Sequence, residues 1–215
     1  MAKPAELPQK QRSALSNLKP LGERLGLYLA GGTALAFHLG HRVSRDLDLF
    51  SLRPDLDLTS ARAGAAELAD VQVLSLTDAT LRFRASGVPV DIVRYPYPLL
   101  NAPSRGPEGW ATASVEDLAT MKLSAVAQRG IRRDFWDLDE IFARGGISLE
   151  RALQSYVRRF GVRESDVYHV LRSLSYFDDA ERETIMPDGL TPSRWEAIKA
   201  STSKRAAAAL AALAR

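Results

Sequence analysis

Apolar and polar positions follow two different periods along this chain, and the change of period divides it. Near the start, Leu15, Leu18 and Leu21 share one helical face, which predicts a first helix within residues 12–25, over 12–19 or longer, with Pro20 complicating its C-terminal end. Short apolar runs then read as strands at 27–30 and 45–50. Between them lies an apolar helical segment, 34–39, that Gly40 closes. A turn is expected at 54–57, then an alanine-rich helix at 59–69 with Thr59 or Ser60 as its N-cap. Residues 71–76 alternate as a half-buried strand should, and 81–85 and 88–94 read as a hairpin around Ser86-Gly87. Residues 95–109 form a loop rich in Pro and Gly. Beyond it the period is helical: 114–129, opened by Ser114 and Asp117 at capping-box spacing, then 134–143, 149–160, 165–174 and 193–213. The pattern predicts an α+β chain, with a β-containing lobe over 1–109 and a helical lobe over 110–215, and it holds no internal repeat.

Composition narrows the class. At 215 residues, with 46% hydrophobic and 26% charged side chains, the chain can bury one good core and a smaller appended lobe. No run of about 18 apolar residues exists to span a membrane. Residues 1–11 are polar and proline-punctuated, so no secretory signal is expected. The absence of cysteine removes disulfides, thiolate metal sites and cysteine nucleophiles, and suits the cytoplasm. Lys and Arg outnumber Asp and Glu by 29 to 26. That excess is weak evidence for nucleic acid, although arginine clusters stand at 129–133 and 158–163.

Residues 31–48 carry the strongest chemical signal. Gly31-Gly32-Thr33 follows a strand and opens an apolar helix, while Asp46 and Asp48 lie on the next strand. Side chains two apart in a strand share a face, so both carboxylates project together while Leu47 and Leu49 enter a core. Two adjacent carboxylates repel, and Mg²⁺ with a polyphosphate is the leading cation to offset them. The glycines let a phosphate approach the backbone, and a helix N-terminus offers it free N–H groups. Thr33 can cap that helix or bond a phosphate oxygen. Either half alone is common in ordinary turns and strand ends; their order and spacing together are much more specific.

The pattern resembles the signature of the DNA polymerase beta-like nucleotidyltransferase superfamily, a Gly-Gly turn, a helix and then D-x-D. Its longer form, Gly31-Gly32-Thr33-Ala34-Leu35-Ala36 through His41-Arg42-Val43-Ser44-Arg45-Asp46-Leu47-Asp48-Leu49-Phe50, resembles the narrower AbiEii/AbiGii-type toxin nucleotidyltransferases. The resemblance spans about residues 25–145. It implies a polymerase beta-like mixed sheet followed by a helical bundle, and transfer of a nucleoside monophosphate from a nucleoside triphosphate such as ATP. The implied acceptor is an RNA 3′ end, particularly tRNA, and the implied partner is a separately encoded antitoxin. A protein or small-molecule acceptor, or a non-catalytic nucleotide-binding module on the same fold, are the alternatives.

Further residues join this set. Asp91 interrupts the apolar run 88–93; it is either an edge-strand acid facing water or, as the superfamily resemblance implies, a third catalytic carboxylate. The acids Asp46, Asp48 and Asp91 would hold Mg²⁺, and Gly31, Gly32, Thr33, Ser44 and Arg45 would line the nucleotide. Arg42 or Arg45 would pair with the triphosphate or simply neutralise the acids. Lys122 sits at the margin of a helical apolar stripe, where a lysine usually lays its stem along the surface. The toxin family carries a lysine in such a helix, followed by Arg-x-x-x-Arg-Asp-Phe-x-Asp, here Arg129 to Asp137. That implies a phosphate-binding Lys122 and places Asp134 between substrate contact and structural ion pair, with Asp137 on the structural side. His38 and His41 are spaced for a metal pair but lack a third ligand nearby. Tyr95, Tyr97 and Trp110 either stack a base or pack the loop.

Overall fold

The computed structural model describes residues 5–53 and 55–213, without the side chain of Glu164. Residues 1–4 and Pro54, the first residue of the expected turn at 54–57, lie outside them. The chain divides into two compact units, one ending at Ser114 and the other beginning at Val115.

The first unit is built on a mixed sheet. Its strands among the described residues are β1 (Leu27–Ala30), β2 (Leu47–Ser51), β3 (Val71–Leu76), β4 (Thr80–Ala85), β5 (Val88–Val93), β6 (Ser104–Arg105) and β7 (Ala111–Thr112), in the order β3-β4-β5-β2-β1-β7-β6. β2 runs parallel to β5 and antiparallel to β1, while β1 pairs in parallel with β7. Alternation gives the central strands two unlike faces. Leu47, Leu49, Leu81, Phe83, Val90 and Ile92 point one way and are buried. Each such side chain contributes roughly 1.5–3 kcal/mol on leaving water. Helices α1 (Gln9–Leu25) and α3 (Leu58–Ala66) pack against β4, which leaves Arg82 and Arg84 exposed on its other side. Helix α2 (Gly31–Leu39) packs against β1 and β2.

Three expectations are corrected here. Helix α1 runs through Pro20 to Leu25 and stops at Gly26, whose positive φ of 63° forms a left-handed cap. The cap of α3 is Asp57, which accepts from the amides of Thr59 and Ser60, so neither Thr59 nor Ser60 has that role. The stretch 95–109 is not all loop, because β6 and β7 extend the sheet to Thr112 and carry the unit boundary beyond 109/110. Two-residue strands are too short for alternation to reveal. Trp110 belongs to this packing. It is 4% exposed, its indole Nε1 donates to the Leu15 carbonyl at 2.9 Å, and its ring covers Gly22 on α1.

The second unit is helical: α4 (Val115–Gln128), α5 (Arg132–Arg144), α6 (Leu149–Phe160), α7 (Glu164–Ser173), the short α8 (Asp178–Glu181) and α9 (Pro192–Leu213). Helix α4 packs against α5, α6 and α7, and α5 packs against α9. Phe135, Phe177 and Trp195 form a ring cluster with centroids 5.0–5.9 Å apart. Asp117 pairs with Arg159 at 3.3 Å, both side chains fully buried, and so acts as an ion-pair partner inside the bundle. Glu181 gathers Lys199, Trp195 and Arg132, and those donors hold its carboxyl down to about 2. No helix among the described residues is long and apolar enough to cross a membrane.

Gly22 supplies a test of the first unit's packing. A Cβ there would lie 2.2 Å from the Trp110 ring. Glycine to alanine inside a helix normally stabilises by up to about 1 kcal/mol. Gly22→Ala is expected instead to destabilise by about 1–3 kcal/mol, as overpacking does. Urea unfolding checks the sign.

Candidate active site

Strand β2 places the first acid. Asp48 lies opposite Ala30 of β1 and opposite Asp91 of β5 in the parallel register. Directly opposed residues share a sheet face, so Asp48 and Asp91 project to the same side, away from Leu47 and Leu49. The next residue of the chain after Ala30 is Gly31, which opens α2 with φ +61°. A Cβ on Gly31 would lie 1.9 Å from Asp48 Oδ2. The Asp48 carboxylate therefore rests against the first turn of the helix in space that only glycine leaves. The N-cap position of α2 is Ala30, which supplies no side-chain cap.

Asp46 precedes β2 and is set by its neighbours. Ser44 Oγ donates to Asp46 Oδ1 at 2.9 Å, and Thr33 Oγ1 donates to the Asp46 carbonyl oxygen. Ser44 is buried, and its carbonyl accepts from Gln11 Nε2 of α1 at 2.9 Å. Thr33 thus ties α2 to the D-x-D segment and does not cap its own helix. The Arg42 guanidinium lies over Gly32, where a Cβ would come within 2.6 Å of Nη2. Arg45 is solvent-exposed.

Asp91 carries a neighbour that sequence reasoning missed. Arg82 Nε donates to both Asp91 oxygens, at 3.1 and 3.2 Å. The signal was present in the hairpin: a two-residue turn at Ser86-Gly87 puts 82 opposite 91. The pair is exposed and of modest strength. Among the described residues no three His, Asp or Glu groups come close enough to enclose a metal ion by themselves. The donor chemistry nevertheless suits Mg²⁺, which takes one or two carboxylates and draws the rest of its shell from water and substrate phosphates.

In the helical unit, α4 and α5 assemble a second cluster. Lys122 Nζ lies 2.8 Å from Asp134 and 2.7 Å from Asp137, both carboxylates essentially inaccessible to solvent. Arg129 completes it with bonds of 2.8 and 3.2 Å to Asp134. Burial works against every charge here. For Lys122 the two aspartates outweigh it and raise the ammonium above its ordinary range. For Asp134 the Lys122 and Arg129 cations outweigh it and hold the carboxyl below its ordinary range. Lys122 is thus a buried anchor, not a lysine laid along the surface. His38 donates from Nε2 to the Ala113 carbonyl at 2.9 Å. Burial pushes its imidazole down, against the raising effect of that bond.

A model of the AbiEii nucleotidyl transferase toxin, type IV toxin–antitoxin system, matches residues 13–212. The chain belongs to the AbiEii nucleotidyltransferase toxin family. An uncharacterized protein of Aquifex aeolicus is 35% identical to this toxin-family chain over 180 residues, 83% of the chain and 86% of the relative. The nucleotidyltransferase toxin MenT4 of Mycobacterium tuberculosis shares the fold, with a TM-score of 0.60 at 20% identity over 92% of this chain and 81% of its own. A candidate nucleotidyltransferase of H. pylori follows, with a TM-score of 0.50 at 18% identity over 92% and 90%. This family member is accordingly a nucleotidyltransferase, and its Gly31–Asp48 contact and Lys122 cluster lie within the matched residues.

Two outcomes follow from this geometry. Gly31→Ala drives a methyl into Asp48 and puts alanine at a left-handed φ, so it should cost several-fold in transfer activity together with about 1–3 kcal/mol of stability. Lys122→Met takes the ammonium from two buried carboxylates, of which Asp134 keeps Arg129, and should cost about 3–5 kcal/mol at neutral pH. In the wild type the lowered Asp134 stabilises the fold above its unfolded value near 4, and this is lost as pH falls. In Lys122→Met the sign reverses at Asp137, because a buried acid deprived of the Lys122 ammonium is raised, so the deficit should shrink as pH falls toward about 4. Denaturant midpoints between neutral and acid pH separate the two.

Proposed function

We propose that the protein transfers a nucleoside monophosphate from a nucleoside triphosphate, ATP among the candidates, to an RNA 3′ end, tRNA in particular, in a Mg²⁺-dependent reaction. The observation that carries this reading is Asp48, seated against Gly31 at the start of α2 and in register with Asp91. One element offers N–H groups to phosphate while the adjoining strand offers carboxylates to a cation.

The amides of Gly31, Gly32 and Thr33 bind the β- and γ-phosphates, with the Arg42 guanidinium over Gly32 and Arg45 nearby in sequence adding positive charge. Asp46, oriented by Ser44, and Asp48 hold Mg²⁺, with Asp91 joining them when Arg82 lets go. The cation, when bound, neutralises charge building on the phosphates. The acceptor hydroxyl oxygen forms a bond to the α-phosphorus, the bond to the bridging oxygen breaks, and pyrophosphate leaves with that electron pair. Asp91 takes the hydroxyl proton, being the acid across from Asp48 on the same face. In the helical unit, Lys122 keeps a role in phosphate binding. Its ammonium is held in place by Asp134 and Asp137. Asp134 then serves to hold that ammonium. The protein would work in the cytoplasm, restrained by a separate antitoxin.

Purified protein incubated with each α-labelled nucleoside triphosphate, Mg²⁺ and total RNA should label RNA, and removal of the divalent cation should stop it. Asp48→Asn should lower transfer by at least about a hundredfold, the scale of losing a group that stabilises the transition state, with an unfolding midpoint at or above that of wild type. Label transferred by Asp48→Asn at the wild-type rate would remove the carboxylate from the chemistry.

A further inference from the structure

The face of the sheet that carries the acids continues, at the other end of β2, into a ladder of rings. Tyr28 of β1 stacks on Phe50 of β2 with centroids 5.9 Å apart. Phe50 meets Tyr95 edge-on at 5.2 Å, and Tyr95 meets Tyr97 at 5.2 Å. The segment 95–103 folds over this ladder and closes a cavity of about 410 Å³ against Tyr28, Ser51 and Leu52. Its lining is three tyrosines with prolines, leucines and Asn101, and no acidic or basic side chain lies among its described residues.

We infer that this cavity is the acceptor-side subsite of the transferase and that it takes a nucleobase at the 3′ end of single-stranded RNA. The inference rests on the nucleotidyl-transfer reading above and adds where the acceptor lies. Three facts converge. The first is order along the strands. Ala30, next to Gly31, pairs with Asp48, whereas Tyr28 pairs with Phe50 and Leu27 with Ser51. The phosphate cradle and the ring cavity thus flank Asp48 on opposite sides. In-line displacement needs that arrangement, because the attacking hydroxyl must approach from the side away from the leaving pyrophosphate. The second is distance. Ser51 lies three residue steps along the strand from Asp48, about 10 Å at the usual rise. That is the reach of one nucleoside from its 3′-oxygen to its base. The third is chemistry. A lining without charge offers nothing to a polycationic acceptor, while tyrosine and proline faces suit a flat neutral ring. Unpaired RNA ends are held by stacking on such side chains. Tyr97, 41% exposed, is the outermost ring of the ladder.

The test is binding without turnover. A short, 5′-fluorescein-labelled single-stranded RNA with a free 3′ end is titrated with full-length protein in the absence of nucleoside triphosphate and followed by anisotropy. Tyr97→Ala should weaken binding about tenfold, within the range of one stacked base, and Tyr97→Trp should retain it. The same RNA with an abasic 3′-terminal nucleotide should bind wild type about tenfold more weakly and lose nothing further in Tyr97→Ala. Binding of Mg²⁺-ATP should be the same in Tyr97→Ala and wild type. No RNA binding by wild type, equal binding by Tyr97→Ala, or indifference to the abasic end would each overturn the inference. Tighter binding of DNA of the same sequence would overturn its RNA part. Base-dependent binding without any transfer would leave the subsite standing and overturn the catalytic reading alone.

Discussion

The contact between the Asp48 carboxylate and the Cα of Gly31 is the constraint around which the first unit is arranged. It sets the chain reversal from β1 into α2, because a left-handed glycine is the residue that leaves this space. It also sets the register of β1 on β2, since Ala30 can face Asp48 only if Gly31 clears the carboxylate. The first turn of α2 and the Asp48 carboxylate are thereby held side by side.

The helical unit solves a related problem by other means. There the carboxylates of Asp134 and Asp137 are buried and need permanent compensation, which Lys122 and Arg129 supply. In the sheet unit Asp46 and Asp48 stay half-buried and Asp91 is matched by an exposed arginine that can be displaced. One cluster is fixed in charge; the other is left open to exchange. That contrast separates a cluster whose charges are permanently matched from acids left partly open to solvent.

Much of this was legible in the sequence because the informative spacings are local. Glycines after a short strand, acids two apart and a two-residue hairpin turn each determine geometry within a few residues, so the faces of β2 and β5 could be read in advance. Other features depended on distant partners. Gln11 reaches Ser44 across the fold, and Trp110 fits onto Gly22 of the first helix. Nothing local in 104–112 announces two strands that exist only because the edge of β1 is there to pair with. The ion pairs of Lys122 were hidden for the same reason: its position on a helical wheel is marginal, and the two aspartates that bury it stand on the next helix. Arg82 went unnoticed although the hairpin register would have given it.

Strand β2 also limits how this protein can change over time. Leu47 and Leu49, between and after the acids, are among the most deeply buried side chains of the sheet unit. Asp48 and the core therefore occupy alternate positions of a single five-residue strand, and drift at either disturbs the other. Residues 95–103 carry no such double duty, with Pro96, Tyr97 and Pro98 all exposed. Exposed positions there can vary without touching the strand that fixes Asp48 against Gly31.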